Sequence, residues 1–281
     1  MNEDVVFSVS YELAQAVRTL KNSVGDSATT DARKLMALTL GIEPSRMTLH
    51  LHDELNLERY EDFWILIRRR VDREPMSHIL GGRSFYGRWF HVNNKVLDPR
   101  PETETLIAEA LSKPFSEVLD LGTGSGAIAV TLLDERPTAT GIATDLSPGA
   151  LEVATANAET HGVLSRLNIE VSDWYAAVGG TFDLIVSNPP YIALDEMPSL
   201  APELSYEPRM ALTDEADGLT AYRKIVAGAP EHLNADGWIM VEIGWQQGPE
   251  VAALFEDAGL TNVAIKPDLD GRDRVVIGQK A

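Results

Sequence analysis

From residue 118 onward, short apolar runs alternate with stretches of helical character, and that rhythm limits the folds open to the chain. Residues 118–121, 140–144, 168–171, 182–187 and 238–243 read as strands. Residues 127–135, 148–161, 222–233 and 249–258 read as helices, and the short runs 263–265 and 274–277 end the sheet. Alternation of this kind predicts a doubly wound α/β sheet, with ligands outside the carboxyl ends of its strands. The helix over 148–161 is the best marked, with Ser147 as cap, Pro148 at its first position and Gly162 beyond its end.

The first 80 residues show no strand-like alternation. Ser10 is predicted to cap a helix over 11–24, with Leu13, Ala16, Val17 and Leu20 on one stripe and Gly25 stopping it. Asp31 is predicted to open a second helix, with Leu35, Leu38 and Thr39 inward and Gly41 after it. A third, over 58–71, ends in Arg68-Arg69-Arg70, either a solvated helix end near the negative dipole or a contact surface for a partner. Gly81-Gly82 breaks this bundle. The aromatic run 85–92, an Asn93-Asn94 turn and Lys95-Val96-Leu97 then predict a hairpin. The expected division is a helical domain over 1–80 that docks the substrate, a hairpin linker over 81–100 and the α/β domain over 101–281.

Charge and missing residue types narrow the function. The chain carries 43 acidic against 24 basic side chains, a formal charge of −19. Residues 1–80 hold 13 acids and 10 bases, so most of the excess lies beyond them. A body this acidic repels phosphate backbones, so no direct nucleic-acid partner is expected. With no cysteine, thiolate nucleophiles, disulfides and cysteine-ligated metals are excluded, and the six histidines lack metal-ligand spacing. The opening Met1-Asn2-Glu3-Asp4 is acidic where a signal peptide is basic. The expectation is a cytoplasmic monomer with neither metal nor membrane partner.

Four motifs carry the chemistry. Asp120-Leu121-Gly122-Thr123-Gly124-Ser125-Gly126-Ala127 places a glycine loop between a strand and its helix, where a ligand can approach the backbone. The pattern fits nicotinamide and other nucleoside cofactors alike. Asp145 closes the next strand, where a carboxylate can accept two ribose hydroxyls or serve as the acid of a helix N-terminus. In Ser172-Asp173-Trp174, Asp173 can accept an adenine amino group and Trp174 can cover its ring, or merely anchor the loop. The fourth is Ser187-Asn188-Pro189-Pro190-Tyr191-Ile192 at a strand's carboxyl end. Two prolines fix the backbone and remove two N–H donors, leaving the carbonyls of Asn188 and Pro189 and the Asn188 side chain as acceptors. With the Tyr191 ring as a stacking face, this cluster suits a planar NH₂ group.

On these residues the chain resembles the release-factor glutamine N5-methyltransferase (HemK/PrmC) family of class I methyltransferases. The resemblance spans nearly the whole chain. It extends to Gly81-Gly82-Arg83-Ser84-Phe85, to Pro99-Arg100-Pro101-Glu102-Thr103-Glu104 and to Glu242-Ile243-Gly244-Trp245-Gln246-Gln247-Gly248. Family members often carry Asp where Glu102 stands. The resemblance implies a Rossmann-like fold and S-adenosyl-L-methionine as cofactor. It sets Gly122, Thr123, Gly124, Ser125 and Gly126 against the methionine part, Asp145 on the ribose, and Asp173 and Trp174 beside the adenine. Asn188 touches both cofactor and substrate regions, with Asn188, Pro189, Pro190 and Tyr191 holding the target glutamine; Asn188, Pro189 and Tyr191 are the expected catalytic set. The segment 100–104 lies near the cofactor in the family, or simply joins hairpin to helix here. The implied reaction is methylation of the GGQ glutamine of class 1 peptide-chain release factors. The alternatives are glutamine methylation of a ribosomal protein and, more distantly, adenine-N6 methylation of nucleic acid. A nicotinamide oxidoreductase would leave Asn-Pro-Pro-Tyr without a role. The acidic stretch 193–218, with seven acids and the single base Arg209, reads as a lid or as a mobile surface loop.

Overall fold

Parallel strands need crossover connections, and the alternation of the sequence supplies them as helices. The strands β5 (Glu117–Leu121), β6 (Thr140–Asp145), β7 (Leu167–Val171), β8 (Phe182–Ser187) and β9 (Leu233–Glu242) form the parallel part of a seven-stranded sheet. The antiparallel β10 (Thr261–Pro267) and β11 (Asp273–Gln279) complete it in the order β10-β11-β9-β8-β5-β6-β7. The computed structural model describes residues 7–281. The chain divides into two units, one of residues up to Gly82 with Ala201–Tyr206, the other of Arg83–Leu200 with Glu207–Ala281.

In the second unit, α6 (Ala127–Glu135), α7 (Pro148–Thr160), α8 (Thr220–His232) and α9 (Gly248–Asp257) connect the strands. Each face of the sheet is covered by its own core, one around Leu106, Val130, Leu133 and Met240, the other around Leu121, Tyr222, Val226 and Phe255. Successive strands run outward from β5 through β6 to β7, and β8 then returns to the other side of β5. That reversal opens a crevice at the carboxyl ends of β5 and β8. The glycine loop leaves β5 there and Asn-Pro-Pro-Tyr leaves β8, so the order of the strands brings the two motifs together. Ser147 caps α7 as predicted, its hydroxyl accepting from Ala150 N.

The hairpin is real but its turn is misplaced in the sequence reading. Strands β3 (Gly82–Phe85) and β4 (Arg88–His91) are joined through Tyr86-Gly87, both with positive φ (48° and 73°), not through Asn93-Asn94. A two-residue turn matching strand twist needs positive φ at both positions. Gly87 adopts it freely, and Tyr86 is held there as its N–H donates to Glu104 Oε1 (2.8 Å). Asn93 bends the chain later, its side chain accepting from Lys95 N. The helix to which the segment 100–104 leads is α5 (Glu104–Leu111), whose bounds the sequence does not mark.

The first unit is a helical bundle, as expected, of α1 (Val9–Val24), α2 (Ala28–Leu40), α3 (Leu57–Val71) and α4 (Met76–Leu80). It also holds a two-residue antiparallel pairing of β1 (Phe7–Ser8) with β2 (Glu54–Leu55). Ser8, not Ser10, stands at the start of α1. The second helix opens at Ala28, and Leu38 is 43% exposed while Ala32, Leu35 and Met36 face the core. Nor is the arginine run all solvated. Arg70 is buried, its Nε donating to the buried Asp31 carboxylate at 2.9 Å. Its guanidinium also reaches Glu74 O and Glu203, and Arg73 pairs with Glu203 at 2.7 Å. Tyr206 donates to Asp72 O, so Ala201–Tyr206 is bound into this unit at several points. Removing one partner of a buried pair leaves the other charge uncompensated. Arg70→Ala is expected to destabilise the bundle by about 3–5 kcal/mol, read as faster hydrogen exchange in α2 and α3. The double replacement Arg70→Met with Asp31→Leu is expected to recover most of that loss.

Candidate active site

The glycine loop is held open from below. Gly122, Gly124 and Gly126 all have positive φ, a conformation that side chains disfavour. Asp120 Oδ2 accepts from Thr123 Oγ1 (2.6 Å) and Ala129 N (3.2 Å), tying the loop to the start of α6. Thr123 N donates to Thr144 O, and the buried Asn157 donates to Ser125 O. A Cβ on Gly124 would meet open space, whereas one on Gly126 would press on Ala154 at 3.2 Å. Gly124 therefore faces the crevice, and Gly126 serves the packing of α6 on α7.

The loop forms one wall of a cavity of about 450 Å³, within the range of small-molecule sites. Of the residues singled out in the sequence, Gly122, Thr123, Gly124, Ser125, Asp145, Asp173, Trp174, Asn188 and Pro190 line it; Gly126, Pro189 and Tyr191 do not. Asp145 accepts from Gly124 N through Oδ2 and from Ser147 N through Oδ1, both at 2.9 Å. Three backbone donors still leave the carboxylate acceptor capacity for a ligand hydroxyl. Burial raises its pKa, against the hydrogen bonds from Ser147, Gly124 and Leu146. Trp174 has positive φ and lays its ring beside Gly122, where a Cβ would stand 3.6 Å from it. Ser172 braces this turn, donating to Trp174 O and accepting from Ala177 N. Asp173 is exposed, 3.8 Å from Lys224.

Asn188 presents the decisive asymmetry. Its Nδ2 donates to Thr103 Oγ1 at 3.2 Å, while its Oδ1 is buried with no hydrogen-bond partner among the described residues. The side chain lines the cavity with an acceptor to spare. Pro189 is buried behind it. The Tyr191 ring packs into the core beside the sheet, and burial, with the nearby Glu242, pushes its hydroxyl up to about 12. Gln247 clamps this loop, accepting from Gly244 N and donating to the carbonyls of Tyr191 and Gly218. Gly218 cannot carry a side chain, since a Cβ would lie 2.4 Å from Tyr191 O. This gives the Glu242–Gly248 stretch a local job: it fastens the loop after β8 to the end of β9.

Sequence reasoning missed how the segments before α5 and before α8 face the cavity. Arg100 and Thr103 line it, and Arg100 pairs with the buried Glu207 at 2.6 Å. Glu104 instead ties the hairpin to α5, so the segment 100–104 both lines the cavity and joins hairpin to helix. Within 193–218 the chain forms short 3₁₀ turns, and residues 208–211 and 213–215 edge the cavity.

Residues 97–215 match the Methyltransferase small domain family and residues 13–81 the PrmC N-terminal domain family. The chain is 55% identical over 265 residues to the Release factor glutamine methyltransferase of Cereibacter sphaeroides, covering 94% of this chain and 95% of that one. The chain belongs to the release factor glutamine methyltransferase family. The relative of the same name from Bordetella pertussis is 45% identical over 87% of this chain and 92% of its own. Among solved structures, a methyltransferase from Pyrococcus furiosus shares the fold, with a TM-score of 0.54 at 17% identity over 77% of this chain and 96% of its own.

In this member of the release factor glutamine methyltransferase family, burial shifts several carboxyls in or behind the crevice. Burial pushes Asp120 up to about 7, against its bonds from Thr123 and Ala129. Burial does the same to Glu207 against Arg100, and to Glu242 against Thr103. The ordinary values are 3.8 for Asp and 4.5 for Glu, so between pH 5 and 7 the folded chain keeps protons that the unfolded chain releases. Stability then declines as pH rises through about 7. The melting temperature of the ligand-free chain is expected to fall from pH 5.5 to pH 8, with a shallower fall in Asp120→Asn.

Proposed function

We propose that the chain transfers a methyl group from S-adenosylmethionine to the side-chain amide nitrogen of the glutamine in the GGQ motif of class 1 release factors. The observation that carries this reading is the unpartnered, buried Oδ1 of Asn188 on the wall of a cavity that also holds the glycine loop and Asp145. The lining fits the cofactor: a carboxylate at Asp145 with acceptor capacity left, an aromatic face at Trp174 and open space over Gly124. When bound, S-adenosylmethionine supplies an electrophilic methyl group on a sulfonium centre.

The chain's own residues then have to deal with a poor nucleophile, since the amide lone pair is delocalised into its carbonyl. Asn188 Oδ1 accepts one N–H of the substrate glutamine, and a backbone carbonyl of the Asn188-Pro189 pair accepts the other. The two acceptors orient the nitrogen and favour the pyramidal form whose lone pair faces the methyl group. Both bonds strengthen as the nitrogen gains positive charge, so they stabilise the transition state more than the ground state. After transfer the cationic nitrogen is acidic enough to lose a proton to water, and no strong base is needed.

Labelled S-adenosylmethionine offered with release factor, ribosomal protein and DNA in parallel tests the reading. Label is expected on the release factor and lost when its GGQ glutamine is replaced; preferential labelling of ribosomal protein or DNA overturns it. Asn188→Ala is expected to slow single-turnover transfer by about 10²–10³-fold, with a smaller change in cofactor affinity. Asp145→Ala is expected to do the reverse, weakening cofactor binding by about 2 kcal/mol in calorimetry.

A further inference from the structure

We infer that Thr103 and Glu242 are positioning residues for methyl transfer, together holding the Asn188 amide in the orientation that turns its oxygen toward the substrate nitrogen. This rests on the role proposed above for Asn188. An asparagine amide rotated by half a turn occupies nearly the same space but exchanges its acceptor for two donors. In the rotated form Asn188 would present N–H groups to the N–H groups of the substrate. What separates the two forms is therefore the partner behind the amide.

That partner is a hydroxyl with one donor and two acceptor sites. Thr103 lies in the 3₁₀ turn Pro101–Thr103, buried, with its Oγ1 taking the hydrogen bond from Asn188 Nδ2. Its own proton has a destination in the buried Glu242 carboxyl group, whose titration the Thr103 hydroxyl pulls down. Glu242 ends β9, is 1% exposed and leaves Oε2 without a partner. An ionised carboxylate only accepts, so it draws the Thr103 proton and leaves the Thr103 lone pairs for Asn188. The direction of the chain is then single-valued: Asn188 Nδ2 to Thr103, Thr103 to Glu242, and Asn188 Oδ1 left for substrate. Burying an acid with an idle oxygen is costly, and nothing else described for this site uses Glu242.

Protonating Glu242 removes the direction. The acid can donate to Thr103 Oγ1, freeing the Thr103 proton to point at Asn188 and favouring the rotated amide. The charges of Arg274 on β11 and of Arg100 and Glu102 before α5 act on the same carboxyl, which in turn raises the titration of the Tyr191 and Tyr222 hydroxyls. Burial places its titration at about 7, so the reactive orientation is favoured above that pH and lost below it.

The test is single-turnover methyl transfer to release factor at saturating cofactor, beside calorimetric binding of S-adenosylhomocysteine. Thr103→Val is expected to slow transfer by about tenfold while changing affinity much less, and Thr103→Ser to restore most of the rate. In the Asn188→Ala background, Thr103→Val is expected to add no further loss beyond about twofold, since both act through one amide. The wild-type rate is expected to fall as pH drops through about 7, and Glu242→Gln to lack that limb. Equal losses for Val and Ser, additive losses in the double variant, or an unchanged limb in Glu242→Gln would each overturn the inference while leaving the proposed function standing. Failure of the wild-type chain to methylate release factor would remove both.

Discussion

A hydrogen-bond acceptor left idle inside a protein costs about 1–3 kcal/mol, and this fold maintains one at Asn188. The neighbouring structure is arranged so that it stays idle. Pro189 and Pro190 offer no N–H to satisfy it, and their fixed φ keeps the loop from folding back on itself. Gln247 grips the carbonyls of Tyr191 and Gly218, and Gly218 lacks the Cβ that would push the loop away. Because β8 lies beside β5, Asn188 lines the same crevice as the glycine loop. The geometry of the site follows from the position of one strand reversal and one unpaired oxygen.

Much of this was legible in the sequence because the signals were local. Strand and helix alternation set the sheet, and Ser147, Pro148 and Gly162 framed α7 within a residue. The motifs at the ends of β5, β6 and β8 fell where a doubly wound sheet must put them. The misses share a cause as well. Asn93-Asn94 carries a stronger turn signal than Tyr86-Gly87, yet a bond from Glu104, 18 residues away, holds Tyr86 at positive φ. Leu38 fits the helical stripe but not the bundle's own packing, and Arg70 looked solvated until Asp31 was found beside it. Thr103 meets Asn188 from a segment far off in sequence, where neither spacing nor periodicity carries a signal.

The acidic connection after β8 shows how composition can mislead about order. Seven acids in 26 residues suggest mutual repulsion, but several are individually occupied. Asp214 accepts from the amides of Ala216, Gly218 and Thr220, and Glu207 is paired with Arg100. Glu215 meets Arg209, and Glu203 meets Arg70 and Arg73. Charge count describes what a segment would do when unfolded, and pairing describes what it does here.

The division of the chain bears on how it is made. Arg70 and Arg73 wait for Glu203, and Asp72 O for Tyr206, so the helical bundle lacks part of itself when Gly82 leaves the ribosome. Residues Arg83–Leu200 must be synthesised first, a delay on the order of ten seconds at typical elongation rates. Through that interval the bundle holds Arg70 with only Asp31 and Glu74 to receive its donors. Vectorial synthesis therefore cannot finish the N-terminal unit before much of the sheet has emerged, and the last step of its assembly belongs to the later half of the chain.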